Sequence, residues 1–224
     1  IASQMSVMRS TLWGGLLNAL SHNLNRQQGR VRLFEIGRVY LREEGKLRQP
    51  NALSGLCYGP AHAEQWGEPA RPVDFFDVKG DLENLSGFSF ECVAEAHPAL
   101  HPGQSARLLL NQHPVGWIGT LHHKLAQQFD LPAAPVLFEI QLEALGDRVL
   151  PRHAAVPRFP AVRRDLAFLV DLDVTVAAIL KTMSEVKDAS VREWALFDLY
   201  QGKGVLEGQK SLAFRIVMQD TERT

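Results

Sequence analysis

The last two apolar stretches of the sequence carry the side chains best suited to binding chemistry. Residues 194–200 and 211–218 alternate with the period of two that is typical of strands with one buried face, and this alternation sets Phe197 on the opposite side from Asp198. If the strands pair as an antiparallel hairpin around the glycine-rich segment 201–209, one face carries four neighbouring side chains: Asp198, Tyr200, Ser211 and Arg215. A tyrosine can stack on an unpaired base, a carboxylate can accept hydrogen bonds from guanine, and cations can hold phosphates. The face is compatible with a single-stranded RNA site, although the pattern alone favours an ordinary solvated sheet surface.

The other polar groups of the sequence favour structural roles. Asp74, Asp77 and Asp81 are clustered, but acidic residues that lead into a helix are more often caps than an acid/base pair. The eight histidines and two cysteines show no metal-ligand spacing, and the sequence contains no nucleophile elbow, phosphate loop or dinucleotide motif. We therefore predict no catalytic, cofactor-binding or metal-binding residue.

The composition is that of a globular chain of one large or two modest domains, with 46% hydrophobic residues and a net charge of −1. This charge excludes a broad basic footprint, so any RNA contact must be local. Cys57 and Cys92 do not form a disulfide framework, which favours a reducing cytoplasm, and every apolar run is too short to span a membrane. Because the sequence begins with Ile1 and stops just after a strand-like run, we expect a fragment of a longer protein.

The elements that must position these groups begin with a helix in residues 8–28, where Leu12, Leu16 and Leu20 lie on one apolar stripe and Ser10 and Thr11 occupy capping positions. A second helix is predicted at 77–85. Polarity patterns and turn signals predict the following strands, which favour a mostly antiparallel sheet: 31–41, 53–58, 73–76, 90–95, 106–110, 115–121 and 136–141.

A change in composition at residues 148–160, which contain three prolines, predicts a domain boundary between residues 150 and 151. After it, strand 164–170, helix 176–186 and strands 191–200 and 210–219 give the order β-α-β-β. This order is the first part of the split βαβ, or ferredoxin-like, arrangement. The predicted fold class is therefore α+β, with domains at 1–150 and 151–224, the second of them truncated.

The whole chain resembles the C-terminal region of the β subunit of bacterial phenylalanyl-tRNA synthetase, a class II aminoacyl-tRNA synthetase. The motifs that carry the resemblance occur in unchanged order at residues 8–12 (MRSTL), 23–28 (NLNRQQ), 32–35 (RLFE), 75–83 (FFDVKGDLE), 97–105 (HPALHPGQS), 158–165 (RFPAVRRD), 197–200 (FDLY) and 210–213 (KSLA). The resemblance implies a catalytic-like domain, with a class II antiparallel sheet and flanking helices, followed by a ferredoxin-fold anticodon-binding domain.

The same resemblance implies the function and the partners. The holoenzyme, a cytoplasmic α2β2 heterotetramer, attaches phenylalanine to its tRNA with ATP and magnesium, whereas this fragment binds neither cofactor and performs no chemistry. The helix of residues 9–25 and the strand after it are implied to contact the α subunit. An anticodon base is implied to be read by Asp198, Tyr200 and Ser211, with the RNA backbone held by Arg163, Arg164 and Lys210.

The residues themselves argue against an active site in the first domain. A class II site needs one arginine for the ATP α-phosphate and a second in a glycine-rich motif, because negative charge develops on the phosphorus. Arg32 or Arg38 matches the first requirement, but the sequence has no Gly-x-Gly-x-x-Arg. A free-standing ATP-dependent ligase is thus disfavoured. A protein-interaction scaffold without RNA binding remains the alternative, because residues 156–224 contain ten basic and ten acidic residues.

Overall fold

The computed structural model describes residues 7–43, 45–146, 159–185, 188 and 190–219. It shows an α+β protein that divides into two compact units, Ile1–Val149 and Leu150–Thr224. The predicted α+β class is confirmed. The predicted boundary between residues 150 and 151 lies outside the described residues.

A six-stranded antiparallel sheet forms the centre of the first unit, with the order β1-β4-β8-β7-β6-β5. Its strands are β1 (Val31–Arg38), β4 (Asn51–Tyr58), β5 (Glu91–Ala94), β6 (Leu100–Leu110), β7 (His113–Leu121) and β8 (Val136–Gln141). A separate two-stranded hairpin between β1 and β4 consists of β2 (Leu41–Glu43) and β3 (Lys46–Arg48).

Helices cover both faces of this sheet, as two distinct buried clusters show. Leu16 and Leu20 of α1 (Trp13–Leu24) pack with Leu56 and Leu137 of the sheet, as the predicted apolar stripe requires. The opposite face packs against α2 (Phe75–Ser86), and the two remaining short elements are α3 (His123–Gln128) and a 3₁₀ turn (Leu142–Leu145). Alternate residues of β4 and β8 enter the two clusters, so the central strands are buried on both sides.

The start of α2 corrects one prediction from the sequence, because residues 73–76 do not form a strand. Asp74 is the helix N-cap, and its carboxylate accepts hydrogen bonds from the backbone N–H groups of Phe76 at 2.8 Å and Asp77 at 3.0 Å. The Asp77 carboxylate accepts in return from the backbone N–H of Asp74 at 2.9 Å, which completes a capping box. The two apolar residues after Asp74 therefore form the first turn of the helix, and Asp74 and Asp77 have the capping roles predicted for them.

The second unit has the predicted order β-α-β-β: β9 (Val162–Asp171), α4 (Val176–Glu185), β10 (Val191–Tyr200) and β11 (Gln209–Met218). The three strands form an antiparallel sheet in the order β10-β11-β9. Its core lies on the central strand, where Leu212, Phe214 and Ile216 are buried on one face. The alternate residues of β11 form the other face.

Candidate nucleic-acid interface

The predicted hairpin brings the proposed RNA-contacting groups of β10 and β11 onto one face. Tyr200 pairs with Ser211 and Asp198 pairs with Ala213 across the antiparallel ladder. Since directly paired residues of antiparallel strands project to the same side, these groups lie opposite the face of Leu212 and Phe214. Asp198 and Tyr200 are exposed, and Ser211 is half-buried. We call this surface, with the β9 residues that flank it, the hairpin face.

A β-bulge at Phe197 shapes the hairpin face in a way that the sequence alternation did not predict. Leu196 pairs with Phe214 and Asp198 pairs with Ala213, so Phe197 is an extra residue in β10. In such a bulge two consecutive side chains share one side of the sheet. Phe197 therefore lies on the same face as Asp198, which corrects the expectation that the two residues lie on opposite sides.

Of the three predicted phosphate-binding residues, the structure brings only Arg163 to the hairpin face. Arg163 pairs with Val217, which is two positions from Arg215 and shares its side of β11. Arg164 pairs with Ile216, a member of the buried face, so the backbone directs it to the other side. The Lys210 ammonium also belongs to that side and donates a hydrogen bond to the Leu172 carbonyl at 2.9 Å.

Tyr200 stands at one end of the hairpin face with its ring held against the connecting loop. Its hydroxyl donates to the carbonyl oxygen of Lys203 at 3.3 Å, and the side chain remains 46% exposed. A Cβ atom at Gly202 would lie 2.6 Å from the Tyr200 hydroxyl oxygen, so only glycine permits this close approach. The Tyr200 ring is thus held by the loop that connects β10 and β11.

The other end of the hairpin face carries an ordered aromatic and ionic group. The Arg215 guanidinium lies over the Phe197 ring, 4.8 Å from its centroid, a distance typical of a cation–π contact. Two nitrogens of the same guanidinium donate to the Asp165 carboxylate at 3.1 and 3.3 Å. Phe197 remains 48% exposed despite this contact.

In the first unit, Arg32, one of the two arginines that matched a class II phosphate ligand, has a structural role. The Arg32 guanidinium donates to the carbonyl oxygens of Val31 at 2.9 Å, Tyr58 at 2.7 Å and Pro60 at 2.8 Å. These bonds tie β1 to the end of β4 and the loop that follows it. Arg38 lies at the other end of β1 and is exposed. No three His, Cys, Asp or Glu side chains converge as metal ligands among the residues the structure describes.

The edge strand β1 presents an apolar surface beside the helix that was predicted to contact a partner. Phe34 and Ile36 are 73% and 55% exposed, although both are large apolar residues. By contrast, the apolar residues of α1 itself, such as Leu16 and Leu20, are buried against the sheet of the same chain. Exposed apolar residues along a sheet edge are typical of a protein–protein contact.

The N-terminus of α1 is anchored by a carboxylate from the middle of the sheet. Oε2 of Glu139 accepts hydrogen bonds from the backbone N–H of Leu12 at 2.8 Å and from the Thr11 hydroxyl at 2.9 Å. Burial raises the pKa of Glu139, and these two hydrogen bonds oppose that rise. Thr11 Oγ1 also accepts from the backbone N–H of Trp13 at 3.2 Å. The N-cap of α1 is nevertheless Leu12, so the expectation that Ser10 or Thr11 occupies the capping position is wrong. Sequence reasoning missed Glu139, because 127 residues separate it from Leu12.

No helix in the described ranges is long and apolar enough to cross a membrane.

Comparison with known proteins gives the same two-part division. Residues 1–142 match the family described as phenylalanyl tRNA synthetase beta chain CLM domain, and residues 157–224 match the ferredoxin-fold anticodon binding domain family. The chain is 59% identical over 224 residues to the phenylalanine–tRNA ligase beta subunit of Thiobacillus denitrificans, and 51% identical over 225 residues to that of Chromobacterium violaceum. All of this chain is covered, but only 28% and 29% of those two relatives.

Proposed function

The chain belongs to the phenylalanyl-tRNA synthetase beta chain family, and from this premise we propose that it is the C-terminal part of a β subunit that binds the anticodon of the phenylalanine tRNA. The domain of residues 151–224 supplies the RNA contact, and the domain of residues 1–150 supplies contact with the α subunit. Neither domain supplies active-site chemistry. The complete enzyme, an α2β2 heterotetramer in the cytoplasm, uses ATP and magnesium to join phenylalanine to its tRNA.

The observation that carries the RNA-binding proposal is the shared position of Asp198, Tyr200 and Ser211 on the exposed hairpin face. A ring, a carboxylate and a hydroxyl within two residue pairs of one hairpin are the groups that stack on an unpaired base and bond its edge. They lie within residues 157–224, which match an anticodon-binding family. Arg163 extends the same face with a cation suited to a phosphate.

The partner role of the first domain is supported by two features. The Arg32 guanidinium donates to three backbone carbonyls, so it serves the fold rather than a nucleotide phosphate. Phe34 and Ile36 give the β1 edge the exposed apolar character that a subunit contact would cover. We assign this edge, together with the helix of residues 9–25, to the α subunit.

Binding of the phenylalanine tRNA to the full-length β subunit, reconstituted with α, tests the proposal. We compare the wild type with Asp198→Ala and Tyr200→Ala across several salt concentrations. Loss of a stacked base at Tyr200 should cost about 1–3 kcal/mol of binding free energy, and the salt dependence should change little because neither residue is a cation. Wild-type affinity in both variants would instead favour a protein-interaction scaffold without RNA binding.

A further inference from the structure

The end of the hairpin face remote from Tyr200 holds an exposed aromatic side chain that is not among the residues proposed to contact the anticodon base. We propose that Phe197 is a second stacking platform, which binds an unpaired base of a nucleotide neighbouring the one bound at Tyr200. This inference rests on the proposed anticodon-binding function and extends it from one nucleotide to at least two. The two rings belong to the same strand and lie on the same face.

The surroundings of Phe197 hold its ring in place before RNA binds. The Asp165 carboxylate accepts two hydrogen bonds from Arg215, and this ion pair positions the guanidinium that lies over the Phe197 ring. A ring that is already held loses little conformational freedom on stacking. Because the charge of Arg215 is balanced by Asp165, the pair orients the ring and does not hold a phosphate.

The surface between the two rings is low enough to admit a nucleotide chain. Asp198 pairs with Ala213, and Ala213 pairs in turn with Ala167 of β9. The centre of the hairpin face therefore consists of small side chains. Phe197 lies three positions before Tyr200 in β10, which corresponds to about 10 Å along a strand. Small antiparallel sheets that bind RNA commonly stack two or three bases on such a face.

A cationic side chain lies at the Phe197 end of the hairpin face. Arg163 lies two residues before Asp165 on β9 and faces the same side. Among the described residues, its guanidinium forms no ion pair with a carboxylate. Arg163 is therefore suited to the phosphate of a nucleotide whose base is stacked on Phe197.

The test uses full-length β subunit reconstituted with α, and phenylalanine tRNAs that carry 2-aminopurine at one anticodon-loop position at a time. Stacking quenches the fluorescence of this base. Phe197→Ala should weaken binding about 5- to 150-fold, the range that corresponds to the loss of one base stack. It should also restore fluorescence at one position, and Tyr200→Ala should restore it at a different position. Phe197→Trp retains a ring and should retain quenching.

Leu199→Ala is the matched control, since Leu199 belongs to the same strand, is 53% exposed and pairs with buried Leu212 on the opposite face. It should bind as the wild type does. Wild-type affinity and quenching in Phe197→Ala, together with a loss in Tyr200→Ala, would overturn the second platform and leave the proposed function intact. An equal loss in Leu199→Ala would also overturn it, because damage to the strand would explain both. If no position is quenched on wild-type binding and Tyr200→Ala behaves as wild type, the anticodon-binding function itself fails.

Discussion

Glu139 provides the sharpest test of how the first domain is held together. Replacing it with alanine removes the oxygen that accepts from the Leu12 backbone N–H and the Thr11 hydroxyl. Replacing it with glutamine keeps an acceptor oxygen in nearly the same place but removes the charge. The two variants therefore separate the hydrogen bonds from the ionisation.

The size of the effect follows from the burial of the donors. Leu12 is fully buried and Thr11 is half-buried, so in Glu139→Ala neither donor regains a full complement of water. Each buried donor left without a partner costs about 1–3 kcal/mol, and we expect Glu139→Ala to lower the free energy of unfolding by about 2–4 kcal/mol. Glu139→Gln should change it by less than about 1 kcal/mol, because the acceptor is retained and no charge is buried.

The two variants should also differ from wild type in their response to pH. Because burial raises the folded-state pKa of Glu139 above its ordinary value of 4.5, this group favours the folded state most at low pH. That contribution is lost as the pH rises through the folded-state pKa, and Glu139→Gln should remove the dependence. Urea unfolding followed by circular dichroism from pH 4 to 8 measures both effects. Equal stability of Glu139→Ala and wild type, or equal destabilisation by alanine and glutamine, would show that the Glu139 oxygen does not anchor α1.

Three further predictions concern the helix cap, the acid stability and the exposed edge. Asp74→Ala should lower the free energy of unfolding by about 1 kcal/mol in urea titrations, because it removes the N-cap of α2. The hydrogen bonds from Arg71 hold the pKa of Asp77 at about 2, below its ordinary value of 3.8. The pair therefore stabilises the fold above pH 3.8, and this contribution is lost as the pH falls through about 2. Curves of unfolding free energy against pH for Arg71→Ala should lack this acid-dependent component. Phe34→Asp should weaken association with the α subunit in sedimentation experiments. Leu206→Asp should not, although Leu206 of the second domain is equally exposed at 73%. Equal association of both variants would contradict the assignment of the β1 edge.

Long, strictly periodic segments allowed most elements to be predicted from the sequence. The stripe of Leu12, Leu16 and Leu20 predicted α1, and alternation predicted β10 and β11, because burial of one face imposes these periods. The stretch 73–76 failed because its two phenylalanines suggest a strand, while the cap at Asp74 decides the local structure. Helix α3 escaped prediction because six residues are too few to establish a period.

The candidate site was predictable where it depends on regular pairing and not where pairing is irregular. Strand alternation and a hairpin suffice to place Asp198, Tyr200 and Ser211 together. The bulge that turns Phe197 to the same face depends on how β10 meets β11, which no local pattern encodes. Likewise, the role of Glu139 depends on a contact between residues distant in sequence.

A binding comparison with an altered anticodon tests whether the hairpin face reads an anticodon base. Dissociation constants are measured for wild type and Tyr200→Ala, each in the full-length subunit reconstituted with α, against the native phenylalanine tRNA and a variant with one anticodon base replaced. We expect the wild type to prefer the native tRNA, and we expect Tyr200→Ala to lose about 1–3 kcal/mol of affinity for it along with most of this preference. Unchanged affinity and unchanged preference in Tyr200→Ala would contradict the claim.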